Sequence, residues 1–357
     1  MKKEKFIHTV AKRHKRISKR LYPLLSKSRI TQYLHAFFSL NFYNEILLFY
    51  EGKRKFLENK ASSSYNEGDL RRNIHRLEKG LIMQPRRETF AKEYILETIE
   101  NYRHFSNKGI VDTPSARWYA DVLSEYFEAV VDNELSIKQA RKIWDEIKPA
   151  PRASFIELYK PSKRSSYKEC NVSYEAFFNL CKLRRSVRWF QAQKVPHEHL
   201  EKAVQAALLS PSACNRQPFK FFIFDTKEDI QEIADIPMGT AGFSHQFPAI
   251  IVVVGDQSNY EFERDRFLIY IDGSLASMSL MLALETLGLS SCPINWPDMP
   301  DLDKIMAGKL RLKSYERPIM LIAAGYAERE GLIPHSAKKT TAEVIIYNQA
   351  VPINYKK

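Results

Sequence analysis

Three guanidinium groups and a hydroxyl fall within five residues at Arg184, Arg185, Ser186 and Arg188, with Trp189 and Phe190 directly after. Arginine forks match the planar, multiply accepting face of a phosphate. A second concentration lies at Ser210-Pro211-Ser212-Ala213-Cys214-Asn215-Arg216-Gln217-Pro218. Its hydroxyls and amides suit the edge of a planar heterocycle, which presents donors and acceptors side by side. The chemistry indicated is capture of a ligand with a phosphate at one end and a flat ring at the other.

The surrounding pattern says what must position these residues. Residues 173–184 read as an amphipathic helix that delivers the arginines at its end. Pro196 opens a second helix through Leu200, Val204, Ala207 and Leu208, and the polar loop follows it. Phe219–Phe224 reads as a strand, Thr226–Ile233 as a short helix and Ala249–Val254 as a buried strand. Arg264–Leu287 reads as a long, nearly all-apolar helix, with small residues at Gly273, Ser274, Ala276 and Ser277 for close approach. Ser290–Ile294 and Ile319–Ala324 read as strands, with a further one at Val344–Tyr347.

The arginine run and the polar loop, at this separation, resemble the nitroreductase (FMN-dependent oxidoreductase) family over residues 172–347. That resemblance implies an α+β fold: a mixed, mainly antiparallel sheet flanked by helices. It implies FMN as cofactor, with Arg184, Arg185, Ser186 and Arg188 at the phosphate and ribityl chain, joined by the late basic pair Lys338 and Lys339. It puts Pro211, Ser212, Ala213, Asn215 and Gln217 on the flavin side of the loop. Backbone at Pro293, Ile294 and Asn295 would face the ring near N5. Family members often carry an acidic residue and a glycine there, whereas this chain has Asn295-Trp296; a bulky Trp296 would narrow the substrate pocket. The resemblance also implies an intertwined homodimer built on the long apolar helix, each active site using both chains, with the tail Ile345–Lys357 extending across the partner.

The N-terminal half carries no such resemblance. Residues 1–30 hold eleven Lys/Arg against one acid, Glu4, and account for most of the net charge of +13. Residues 33–50 add dense aromatics. A solvated basic helix docking on the rest of the protein and a segment lying on an anionic membrane surface both fit this pattern. Nucleic acid is not indicated, since no reading module accompanies the charge. Asp69 can cap a helix through Leu70, Ile74, Leu77 and Leu81. On it His75, Glu78 and Lys79 share a turn, either as a surface ion-pair stripe or as a cluster reaching the active site, and Gly80 allows close packing. Helical patterns at 88–104, 115–131 and 136–148 make residues 31–148 an all-α domain, joined by a proline- and serine-rich linker (149–171) to a flavin domain at 172–357.

Composition bounds the rest. Hydrophobic residues make up 44% of 357 residues, enough for a real core. The four cysteines are scattered without a CxxC pair, which suits a reducing, cytoplasmic setting. No spanning helix and no secretory signal are expected. His197 and His199 form an HxH without a third ligand, so no metal site is assigned. There is no GxGxxG fingerprint, hence no Rossmann dinucleotide site; the family resemblance implies NADH or NADPH as a transient reductant over the flavin. The expected activity is ping-pong hydride transfer through FMN N5 to a small molecule, with no catalytic acid or base among the side chains. Two alternatives stand beside it: a flavin oxidase or dehydrogenase acting on a biosynthetic intermediate, and a membrane-surface assembly component with a non-catalytic flavin fold.

Overall fold

The computed structural model describes residues 28–38, 43–61, 66–109, 112–150 and 158–348. The basic run at 1–27 and the tail beyond Asn348 lie outside the described residues. The strands are β1 (Phe219–Phe224), β2 (Ala249–Asp256), β3 (Ser290–Asn295) and β4 (Glu316–Gly325). They form one sheet in the order β1-β2-β4-β3, every pair antiparallel. Strand β2 is central because Ala-Ile-Ile-Val-Val-Val is apolar on both faces, as a strand covered on both sides must be. The register slips between Val253 and Val254, next to Pro318 on β4. Proline has no N–H to give the ladder, so a bulge is where a sheet tolerates it.

Helices cover both faces of this sheet. In chain order the α-helices of the described residues are α1 (Arg29–Phe38), α2 (Tyr43–Ala61), α3 (Glu67–Leu81), α4 (Ile95–Ser106), α5 (Pro114–Ala129) and α6 (Leu135–Ile147), followed by α7 (Tyr174–Leu183), α8 (His197–Ala207), α9 (Lys227–Ala234), α10 (Leu268–Thr286), α11 (Pro300–Leu310) and α12 (Thr341–Val344). Ile251, Val253 and Ile322 face α8 and α10, while Val252, Val254 and Leu321 face α9 and α11, the period-two alternation of strands. Gly273 on α10 lets Ile319 of β4 lie against the helix backbone, where a Cβ would come within 2.5 Å of the Ile319 Cδ1. Together with the preceding turn, this helix (Glu263–Thr286) is long and apolar enough to cross a membrane by length and composition, unlike the expectation from sequence. Here it is the core helix, with Ala276, Leu280 and Leu284 fully buried against the sheet.

Helices α3 to α6 make a separate core around Leu70, Ile74, Tyr119, Leu123 and Tyr126. Helix α3 starts three residues earlier than the sequence pattern suggests. Asn66 rather than Asp69 is its cap, its side chain accepting from the Asp69 N–H. Helix α4 starts later than expected, because residues 88–92 are tied to the turn at 131–136 through Val131 N–H to Glu88 O and the Thr89–Asn133 side-chain bond. Gly80 receives the ring of Phe90, while His75 and Glu78 pair at 3.7 Å on the partly exposed side.

Helix α2 belongs elsewhere. It lies on the sheet domain, with Leu48 against Tyr260 and Ile269 and with Gly52 pressed on Gln257. Arg317 of β4, almost fully buried, donates to Glu45 of α2 at 2.8 Å and to Asp298 at 2.6 Å. The strand expected at Val344–Tyr347 does not form. Thr340 and Glu343 make a reciprocal capping box that winds Thr341–Val344 into one helical turn.

Candidate functional site

The arginine run leaves the end of α7 and docks against the start of β3. Val187 N–H donates to Ser291 O at 3.1 Å, and Ser186 pairs with Ser291 as an isolated parallel bridge. Gln246 then pins the next residues, accepting from Phe190 N–H and donating to Arg188 O. Arg184 and Arg188 both lie within electrostatic reach of the Cys292 thiol; burial pushes that thiol up and the two guanidiniums pull against it. Glu285, near the end of α10, is buried beside Arg184, and loss of water pushes its carboxyl up to about 7. Near neutrality the carboxyl is therefore partly protonated, so it cancels only part of the Arg184 charge.

Arg185 is used differently from its neighbours. Its Nη2 donates to the carbonyls of Pro334 and His335, which ties that segment beside the arginine run. Lys338 and Lys339 follow three residues later and are exposed. At the other end of β3, Asn295 is exposed, Pro293 is half-buried and Ile294 is buried. Trp296 is buried. It packs into the core beside Met306, and its Nε1 donates to Asp303 at 2.6 Å, because the indole N–H needs a partner and α11 supplies one. The side chain expected to narrow or reshape the substrate pocket is thus turned into the core of this chain.

The polar loop has an unusual backbone. Cys214, Asn215 and Gln217 all have left-handed φ values, of 54°, 51° and 51°. Each such residue with a side chain costs roughly 1–2 kcal/mol, so the loop has to be held from outside. Ser212 Oγ accepts from the Gln217 N–H at 3.1 Å, and buried Asp272 of α10 accepts from Ala213 N–H at 3.0 Å. Gln217 Nε2 donates to Leu208 O at 3.2 Å. Pro211, before the bend, is exposed. The remaining support comes from the helical domain. Arg71 of α3 donates through Nε to Asn215 O at 2.6 Å and through Nη2 to Gln217 Oε1 at 3.3 Å. A cavity of about 350 Å³ lies between α3 and this loop, lined among others by Asn66, Arg71, Arg216 and Gln217.

Arg71 was not legible as a site residue in the sequence. Nothing marks one arginine in Asp-Leu-Arg-Arg-Asn as the one turned inward. His197, singled out by its spacing, bonds Asp225 at 2.7 Å on the surface, while His199 two residues on is not part of that pair.

In one copy of the chain the two motifs sit at opposite ends of α10. Asp272, which holds the loop, and Glu285, beside Arg184, are thirteen residues apart on one helix, about 20 Å at 1.5 Å per residue.

The nitroreductase family model matches residues 182–241 and 236–326, a stretch that contains the arginine run from Arg184, the loop and β1 to β4. A protein of Methanothermobacter thermautotrophicus named as an NADH dehydrogenase/NAD(P)H nitroreductase is 32% identical over 155 residues, covering 42% of this chain and 77% of that protein. Mouse iodotyrosine deiodinase 1 is 22% identical over 246 residues, covering 60% of this chain and 82% of its own. Among solved structures, an FMN-dependent nitroreductase from Clostridium difficile is 24% identical with a TM-score of 0.42, covering 48% of this chain and 99% of its own. The family model and the 32% identity to the Methanothermobacter protein, over 77% of its length, show that the chain belongs to the nitroreductase family.

Proposed function

We propose that this nitroreductase-family oxidoreductase binds FMN and uses it to pass a hydride from NADH or NADPH to a small-molecule acceptor. The observation that carries the proposal is twofold: a cationic corner, Arg184 and Arg188 at the head of β3, and, toward the other end of α10, a polar loop locked in a left-handed bend. These residues fit the group. The arginines offer forked donors for a phosphate dianion. A neighbouring carboxyl held up to about 7 leaves much of the Arg184 charge available near neutral pH. Lys338 and Lys339 stand on the segment that Arg185 ties down, so they are candidates for the same phosphate. Ser212, Asn215 and Gln217 are candidates for the ring edge, with backbone at Pro293–Asn295 closing the N5 side. When bound, FMN supplies reversible hydride transfer at N5; the side chains supply position and charge.

A second copy completes the site in this reading. Ile271, Leu275 and Met278 form an exposed apolar stripe along α10, and α7 buries no residue in the single chain. Packing α10 against its symmetry mate across a twofold axis puts the loop of one copy beside the arginine run of the other. The 20 Å separation within one chain becomes proximity between two.

The absorbance spectrum of the purified protein tests the flavin. A flavin spectrum, or its appearance on titration with FMN, supports the reading; no FMN bound and no uptake overturns it. Adding NADH or NADPH without oxygen then tests direction. Rapid bleaching is the expected result, and persistent yellow colour favours the oxidase or dehydrogenase alternative.

The amphipathic helix α1 favours placement at a membrane. Ile30, Tyr33 and Phe37 recur at helical spacing with 72%, 75% and 83% of their surface exposed, directly after the basic N-terminal run. We propose a cytoplasmic enzyme peripheral to the anionic inner face, the apolar stripe entering the interface and the Lys/Arg residues meeting headgroups. Co-sedimentation with phosphatidylserine vesicles should fall on removal of residues 1–38; equal binding with and without them overturns the placement.

A further inference from the structure

We infer that Arg71, a side chain of the helical domain outside the family-matched stretch, is a positioning residue for the flavin-side loop. The inference rests on the FMN reading above. The loop needs a clamp because three residues with side chains occupy the left-handed region in the four positions 214–217. Supports from Ser212 and Asp272 reach its backbone at Gln217 and Ala213. The carbonyl of Asn215, at the centre of the bend, is taken by Arg71 Nε at 2.6 Å.

The rest of the arginine is fixed as well. Its Nη1 donates to Ser115 Oγ at 2.9 Å and its guanidinium lies over the Trp118 ring, 5.1 Å from the centroid. The side chain is 6% exposed, so neither end is free to swing. A planar fork held at its back by one domain and bonded at its front to another transmits orientation between them. With the Asn215 carbonyl fixed, the Asn215–Arg216 peptide plane is fixed, and the direction of the Asn215 side chain follows. The Gln217 amide is oriented in the same way, its oxygen toward Arg71 and its nitrogen toward Leu208 O. Arg71 also brings a permanent positive charge to the loop that meets the ring edge. That charge favours the electron-rich, reduced form of a flavin bound there.

The full-length wild-type chain, Arg71→Gln and Arg71→Lys are compared in three measurements. These are the Kd for FMN by fluorescence quenching, the midpoint potential of the bound flavin, and amide hydrogen exchange at residues 213–217 without flavin. Arg71→Gln is expected to weaken FMN at least tenfold, move the midpoint potential to a more negative value and speed exchange at 215–217 at least tenfold. Arg71→Lys keeps the charge and loses the fork, so its potential should stay near wild type while affinity and exchange fall between the other two. A folded Arg71→Gln protein with wild-type affinity, potential and exchange overturns the inference. Should Arg71→Gln fail to fold, wild-type values for Arg71→Lys in affinity and exchange overturn it. A wild-type chain that takes up no FMN overturns the flavin reading and this inference together. A wild-type chain that binds FMN beside an indifferent Arg71→Gln variant overturns this inference alone.

Discussion

The carboxylate of Asp272 and the backbone N–H of Ala213, fifty-nine residues apart, meet at 3.0 Å, and the same oxygen accepts from the buried Tyr260 hydroxyl at 3.2 Å. One side chain of the core helix thus satisfies a buried hydroxyl and a part-buried N–H, and fixes the entry to the polar loop. Burial holds its carboxyl above the usual range, while the two bonds pull against that rise.

Replacing Asp272 by alanine orphans both donors. A loss of about 2–6 kcal/mol is expected, from about 1–3 kcal/mol for each unsatisfied group. Asp272→Asn keeps an acceptor and should lose less than half as much. Urea unfolding of the two variants beside the wild type checks the order; equal losses would show that the charge, not the acceptor, matters.

Glu285 makes stability depend on pH in a definite direction. Its folded pKa, near 7, lies above the ordinary glutamate value, so the folded state holds the proton more tightly. Its contribution is most favourable below about pH 4.5 and is lost as pH rises through about 7. At 1.36 kcal/mol per unit, the fall is on the order of 3 kcal/mol. Glu285→Gln should flatten this part of the stability profile. It should also remove a decline in FMN affinity above pH 7, since the ionised carboxylate neutralises Arg184. An unchanged profile in the variant would show that Glu285 titrates normally.

The double variant Arg184→Ala/Arg188→Ala removes both proposed phosphate forks. At about 1.5–3 kcal/mol for each charge-assisted bond, FMN affinity should fall by about two decades or more, with the fold intact. Equilibrium dialysis gives the constant and far-UV circular dichroism the control. Near-normal binding would put the phosphate elsewhere.

Leu275, half-exposed in the middle of the α10 stripe, is the place to test assembly. Leu275→Asp should give a folded monomer by light scattering, and that monomer should bind FMN weakly because each site lacks the other copy's half. A monomeric wild type would remove the twofold reading.

The second half of the chain was more legible than the first, for a physical reason. Strands such as Ala249–Val254 and the run Arg264–Leu287 carry long apolar patterns bounded by clear punctuation, and the structure moves their ends by only a few residues. Where local chemistry competes with pattern, the pattern fails. The β-branched stretch at Val344–Tyr347 yields to the Thr340–Glu343 capping box, and Trp296 turns inward because Asp303 can accept from it. The Arg184–Arg188 and Ser210–Pro218 motifs could be found because their residue types are dense and local. The clamp on the second could not, since Arg71 and Asn215 are 144 residues apart and no periodicity encodes such a contact. Helix α2 was grouped with the helices that follow it for the same reason: amphipathicity says that a face is buried, not against what.

The seat of α2 on the sheet changes what counts as a removable part. Because Leu48, Gly52 and Glu45 close on Tyr260, Gln257 and Arg317, the first firmly packed helix and the last strand belong to one body, and α3 to α6 are inserted between them. A gene cut at the 149–171 linker would leave Arg317 facing Asp298 without Glu45, and a bare apolar patch over Tyr260 and Ile269. The cut the architecture permits is an excision. Joining the end of α2 to the start of α7 would delete the inserted helices and Arg71 with them, leaving a sheet domain closed at both ends whose ligand loop has lost its outside hold.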